Sequence, residues 1–192
     1  LAAAFSAGFV DAIIGGGGLI QLPAVMFFLE GKSLPLIFGT NKLAGFAGTA
    51  VAAVNYVRRT KILLIALLPA IFTALPAAYF GAMAVKGTDK ETLKPLILIL
   101  FSLVAVYTFI KKDFGLAVPK KISSNKQLIF SLLTGTIIGF YDGFFGPGTG
   151  SFFVFLLVRW LGYDFLNASA CAKLLNVASN GAALILLAMK EH

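Results

Sequence analysis

Histidine and cysteine are all but missing from this sequence: 192 residues hold one of each, His192 and Cys171. A single thiol excludes an internal disulfide framework, and a single imidazole excludes a histidine metal cluster. Charge is nearly as scarce. Charged residues make up 12% of the chain, about half of what a soluble domain carries. Carboxylates are the rarest, with 8 Asp and Glu against 16 Lys and Arg. No Ser/His/Asp set, metal-ligand spacing or phosphate loop can be assembled from what remains. The run GGGG at 15–18 is not followed by the Gly-Lys-Ser/Thr of a nucleotide loop. The sequence therefore predicts no enzyme, and it calls for no cofactor and no metal.

Apolar residues fill the space. They make up 59% of the chain, with a mean hydropathy of +0.93. They gather in runs at 34–57, 62–85, 95–110 and 166–189, each approaching or exceeding the ~20 residues a membrane span needs. This predicts an all-α, multi-pass protein of a bacterial-type inner membrane, with the lipid bilayer as its surroundings. The net charge of +8 does not point to nucleic acid, because the basic residues fall in short gaps between apolar runs. Arg58, Arg59 and Lys61 cluster in one gap, and Lys111, Lys112, Lys120, Lys121 and Lys126 face only Asp113 in another. Cytoplasmic loops carry such an excess of Lys and Arg. The gap 86–94 mixes Lys86, Lys90 and Lys94 with Asp89 and Glu91 and falls on the outside by alternation.

The chain also contains a repeat. At an offset of 131 residues and without a gap, GFVDAIIGGGG falls on GFYDGFFGPGT, and TNKLAGFA falls on CAKLLNVA. The four pronounced intramembrane charges, Asp11, Lys42, Asp142 and Lys173, form two matched pairs in this register, and Gly31 meets Gly162. The reading divides the chain into a first transmembrane repeat (1–110), a basic cytoplasmic loop (111–127) and a second repeat (128–192). The second copy ends after its Lys-bearing span, without the two spans that close the first, so the chain reads as truncated.

Each copy opens with glycines where a membrane helix ought to continue. One unbroken helix over 1–29 would be about 43 Å long, against a hydrocarbon core of ~30 Å. In the second copy Pro147 removes a backbone donor as well. A broken helix is tolerated in a membrane only where protein or a water-filled cavity meets its freed backbone groups. Its restarting half presents amide N–H groups and partial positive charge, a ready anion site. Paired breaks in matching repeats mark a transporter's midplane site. The halves of the first break, 14 and 11 residues, are too short to cross alone. A re-entrant hairpin is therefore favoured over a full crossing, and inverted repeats over parallel ones.

These features designate a set of candidate residues. Substrate contacts are assigned to Lys42, Lys173, Asn41, Asn176, Asn180, Gly16, Gly17, Gly18, Gly148 and Thr149. Lys173, Asn176 and Asn180 share one helical face by their spacing. Asp11 and Asp142 lie near the unfavourable, C-terminal ends of their half-helices, so each is expected to pair with a lysine or hold a coupling proton. Gly31, Gly45 and Gly48 read as close helix-packing positions. Phe140, Phe144, Phe145, Phe152 and Phe153 read as lipid-facing or packing side chains.

AGFVDAIIGGGGLIQLPAV with TNKLAG, and GFYDGFFGPGTGSF with AKLLNVASN, resemble the sulfite exporter TauE/SafE family of membrane permeases over essentially the whole chain. The resemblance implies a carrier of about eight spans for small sulfur-containing anions such as sulfite and sulfonates. The expected function is transport of a small anion, coupled to protons, by rocking one repeat against the other. The competing readings are a non-transporting membrane scaffold, whose polar pairs only hold the bundle, and an uncoupled anion channel.

Overall fold

A chain this apolar must satisfy its backbone polar groups within each segment, and the α-helix does so. The computed structural model describes residues 5–9, 11, 17–60, 62, 64–86 and 122–188, with isolated positions between 95 and 106, and contains no strand among them. Six helices are delimited: α1 (Gly18–Phe28), α2 (Leu34–Arg59), α3 (Leu64–Lys86), α4 (Ser124–Phe144), α5 (Thr149–Leu161) and α6 (Phe165–Ala188). Residues 5–9 and 11 are also helical, as are 95, 98, 99, 102, 103 and 106. Three of the apolar runs thus become α2, α3 and α6 within a few residues of their expected ends. Gly15, Gly16, Lys61, the gap 87–94 and the basic stretch 107–121 lie outside the described residues.

Local chemistry explains the boundaries. Pro35 sits in the first turn of α2, where a missing N–H leaves nothing unpaired. Arg58 and Arg59 occupy its last turn, where cations favour the negative end of the helix dipole. Asp164 caps α6, its Oδ1 accepting the Asn167 backbone N–H at 3.0 Å, the usual service of an aspartate at this position.

α3 and α4 form the most extensive helix pairing. Gly135, Gly139 and Gly143, spaced by four on α4, lie against Ala70, Ala74 and Ala78, spaced by four on α3. A Cβ added at Gly139 would stand 2.7 Å from the Ala74 Cα, and one at Gly143 or Gly135 would run into a backbone carbonyl. The three alanines, with Ala66 and Ala82, are buried to 1% exposure or less. Small residues at such intervals let membrane helices touch backbone to backbone. The Thr73 hydroxyl reinforces the seam by donating to the Leu132 carbonyl at 2.9 Å. These, rather than Gly45 and Gly48, are the packing glycines. At Gly45 and Gly48 an added Cβ would meet nothing within 4 Å.

Gly31 is not a packing position either. It turns the chain between α1 and α2 at φ +84°, with open space where a side chain would be. Gly162, its counterpart in the repeat register, does the same between α5 and α6 at φ +67°. Left-handed backbone of this kind is cheap only for glycine.

α3 and α4 are long and apolar enough to cross a membrane. The 21 residues of α4 rise about 31 Å, while the 13 of α5 and the 11 of α1 rise only about 20 and 16 Å. Two apolar clusters hold the short helices in place. One joins α5 to α6 through Phe153, Leu157, Leu161, Cys171 and Leu175, and the other gathers Leu22, Phe38 and Phe145. Phe145 and Phe153 are fully buried, whereas Phe140 faces outward. The phenylalanine-rich break thus contributes both kinds of position expected of it.

Candidate functional site

The second glycine segment shows how the chain makes a break. α4 stops at Phe144, Gly146 and Gly148 take φ of +95° and +81°, and α5 restarts at Thr149. Side chains at either glycine would be strained. The Tyr141 hydroxyl donates to the Pro147 carbonyl at 2.6 Å and satisfies one of the backbone groups the break exposes. On the first segment α1 begins at Gly18, next to the expected Leu19. The two glycine segments then touch. A Cβ at Gly18 would lie 3.1 Å from the Pro147 Cα, so a side chain there would push the two segments apart by a few tenths of an ångström.

Four ionisable side chains gather at this junction, and their pairing crosses the chain. Lys42, on α2, forms an ion pair with Asp142 of α4, Nζ to Oδ1 3.5 Å. Its ammonium also donates to the Asp142 backbone carbonyl and, at 3.2 Å, to Asn180 Oδ1 on α6. Lys173, on α6, donates to Asp11 Oδ2 at 3.0 Å and to the Asp11 carbonyl at 2.7 Å. The carbonyl of Asp142 lies in the last turn of α4, where backbone acceptors have no partner within the helix. A lysine there caps the helix, meets the negative end of its dipole and neutralises the adjacent carboxylate.

Each carboxylate also draws a donor from the start of the helix that follows it in the chain. The Gly17 N–H donates to Asp11 Oδ1 at 3.4 Å, and the Thr149 hydroxyl to Asp142 Oδ1 at 2.9 Å. The two pairs differ in exposure. Lys42 and Asp142 are sealed at 2% and 1%, while Lys173 is 6% and Asp11 24% exposed.

Between the pairs lies a cavity of about 80 Å³. It is lined by Asp11, Gly17, Gly18, Asn41, Lys42, Asp142, Gly148, Thr149, Asn176 and Asn180, most of the residues expected from the sequence. Lys173 reaches the site only through Asp11, and Gly16 lies outside the described residues. The shared helical face of Lys173, Asn176 and Asn180 is divided in use. The Asn180 amide donates to Asn176 Oδ1 at 2.7 Å while its oxygen takes the ammonium of Lys42, not of Lys173.

Gln21, Ala44, Gly45, Gly48, Thr49, Gly146 and Gly150 also border the cavity and were not among the expected contacts. Helical arithmetic held the signal for some of them. Gly45, Gly48 and Thr49 follow Asn41 by four, seven and eight residues, one face of α2. Gln21 is the one amide in the apolar α1. Two buried oxygens at the cavity, Asn41 Oδ1 and Asp142 Oδ2, have no hydrogen-bond partner among the described residues.

Comparison with known proteins places the chain among membrane transporters. The chain is 38% identical over 178 residues to the "Probable membrane transporter protein ORF9" of a Sinorhizobium species, covering 93% of this chain and 67% of that protein. It is 35% identical over 188 residues to the "Probable membrane transporter protein YfcA" of Escherichia coli K12, covering 95% of this chain and 66% of that one. A "Probable membrane transporter protein" of Haemophilus influenzae is 34% identical over 182 residues, covering 95% and 70%. The chain thus spans about two thirds of the length of the curated relatives it matches. No solved structure matches it. The family model "Sulfite exporter TauE/SafE" matches residues 1–192. The chain belongs to the TauE/SafE family of bacterial-type membrane transporters.

Proposed function

We propose that this protein is a permease for a small oxyanion, a sulfur oxyanion or organosulfonate, coupled to protons. The observation that carries the reading is the exchange of partners around the cavity. Asp11 of the first glycine segment binds Lys173, and Lys42 binds Asp142 of the second. Two copies of one module facing each other across a pseudo-two-fold axis would swap charges in this way, and the matching left-handed turns at Gly31 and Gly162 support the duplication. The inverted arrangement, with each glycine segment re-entrant, remains the preferred topology of the repeats at 1–110 and 128–192. The lengths of α1 and α5, both too short to cross alone, support it, although α4 by itself is long enough to cross.

Physical chemistry favours a small anion here. The cavity is far below the 300–1,000 Å³ of pockets for drug-sized ligands, which suits an ion of a few atoms. The amino ends of α1 and α5 border it through Gly17, Gly18, Gly148 and Thr149, and such ends favour negative charge. Lys42, Lys173, Asn41, Asn176 and Asn180 supply ammonium and amide donors. With each lysine held by a carboxylate, an anion must compete with Asp11 or Asp142 for the cations, which makes the aspartates the natural seats of a coupling proton.

The test is uptake of radiolabelled sulfite by proteoliposomes containing the full-length protein, with and without a pH gradient. Uptake that responds to the gradient and is lost in Lys42→Met and Lys173→Met supports the reading. A well-folded protein with no flux identifies a scaffold, and flux indifferent to the gradient identifies a channel.

A further inference from the structure

The two ion pairs match in sequence but not in environment, and the difference lies in the acceptors left over. Asp142 is 1% exposed; one carboxylate oxygen takes the Thr149 hydroxyl and the Lys42 ammonium, while the other, Oδ2, has no partner among the described residues. Asn41 Oδ1, on the residue preceding Lys42, is a second buried acceptor without a donor at the same cavity. Buried polar atoms of this kind are rarely left unmet. Two buried acceptors short of donors beside an ammonium do not fit a metal cation, which Lys42 would repel. They fit a hydron.

We infer that Asp142, and not Asp11, is the seat of the coupling proton, and that protonation there releases Lys42 to the anion. The inference rests on the reading of the site as an oxyanion permease and assigns its coupling. A proton from water adds to Asp142 Oδ2 and turns an orphaned acceptor into a donor. The carboxyl becomes neutral, and the Lys42 charge is left for a substrate anion in the cavity. Loss of the proton restores the carboxylate, which recaptures the ammonium and expels the anion. Proton and anion therefore bind with positive coupling, and by linkage each raises the affinity for the other by the same factor.

Among the described residues no other charge competes for this role. α2 brings Lys42 to Asp142, α5 brings only Thr149, and α6 brings the uncharged Asn176 and Asn180. α3 presents alanines to this end of α4, and α1 offers Gln21 and Gly18. The adjacent Tyr141 is engaged with the Pro147 carbonyl. Asp11 also borders the cavity but is 24% exposed and bound to Lys173, and its carboxylate oxygens both have donors. The sealed pair is the one suited to holding a proton out of contact with water.

The experiment measures binding of methanesulfonate, whose single charge is constant across the range, to the full-length protein by calorimetry between pH 5 and 8. The expected result is an affinity that rises as pH falls, by up to about tenfold per unit. Asp142→Asn binds with the low-pH affinity at every pH, whereas Asp11→Asn changes the affinity but keeps the slope. Proton uptake by the wild type on adding methanesulfonate, followed with an indicator in weak buffer, tests the same linkage without any substitution. One proton per anion is expected, and no uptake overturns the proposal. A slope that survives in Asp142→Asn or vanishes in Asp11→Asn also overturns it while leaving the oxyanion reading intact. Absence of binding at every pH, in wild type and Lys42→Met alike, overturns both.

Discussion

Removing each lysine in turn should reveal how differently the two pairs are embedded. Lys42→Met strands a carboxylate that is 1% exposed, and breaking a buried pair by removing one partner costs about 3–5 kcal/mol. It also uncaps the last turn of α4 and leaves Asn180 Oδ1 without its donor. Lys173→Met strands Asp11, which is 24% exposed and keeps the Gly17 N–H. Water can reach that carboxylate, so the loss should be nearer 1 kcal/mol. The double change Lys42→Met with Asp142→Asn removes the stranded charge and should recover most of the first loss, a coupling between contacting residues that a double-mutant cycle isolates. The assay is equilibrium unfolding of the full-length protein by SDS from lipid–detergent micelles, reading helicity. Equal losses for the two lysines, or a double variant no more stable than Lys42→Met, would refute the reasoning.

Other outcomes follow from the seam, the break and the cap. Gly139→Leu should force α3 and α4 apart, since a Cβ alone would stand 2.7 Å from the Ala74 Cα; overpacking of this kind costs about 1–3 kcal/mol or more, read in the same unfolding assay, whereas Gly48→Ala, with open space at its Cβ, should be close to neutral. Gly148→Ala should lose about 1–2 kcal/mol through left-handed strain at φ +81° and should depress transport by displacing Thr149 from Asp142. Asp164→Ala should cost about 1 kcal/mol at neutral pH. The Asn167 backbone N–H holds the Asp164 carboxyl below the ordinary aspartate range, so its contribution is complete above that range and lost as pH falls through the lowered value. The gap between wild type and Asp164→Ala should therefore close in acid, and a gap constant down to the lowest pH would count against the cap.

Much of the site was legible before any coordinates, because membranes make charge and broken helix expensive. Asp11, Lys42, Asp142 and Lys173 stood out against apolar surroundings, and the glycine segments stood out against the length a span needs. Partner choice was less visible. Spacing along α6 places Lys173 with Asn176 and Asn180, yet the asparagines serve Lys42, because which helices meet across 100 residues or more leaves no trace in a single helix's period. The packing glycines were missed for a different reason. Gly135, Gly139 and Gly143 repeat every four residues in GTIIGFYDG, a signal for backbone contact, but the third lies beside the conspicuous aspartate, and the break that follows at Gly146 and Gly148 dominates the reading. Gly45 and Gly48, three apart on α2, also read as packing positions and instead leave room at a cavity, a distinction only tertiary neighbours decide.

The glycine–alanine seam has a consequence for how such a carrier moves. α3 lies in the front half of the polypeptide and α4 in the back half, yet their main chains are in direct touch along several turns, with no side-chain layer to slide on. Whatever tilts during a transport cycle, these two rods must tilt as one. The mechanical partition of the molecule therefore differs from its genetic one: α3 travels with its neighbour across the midpoint of the chain.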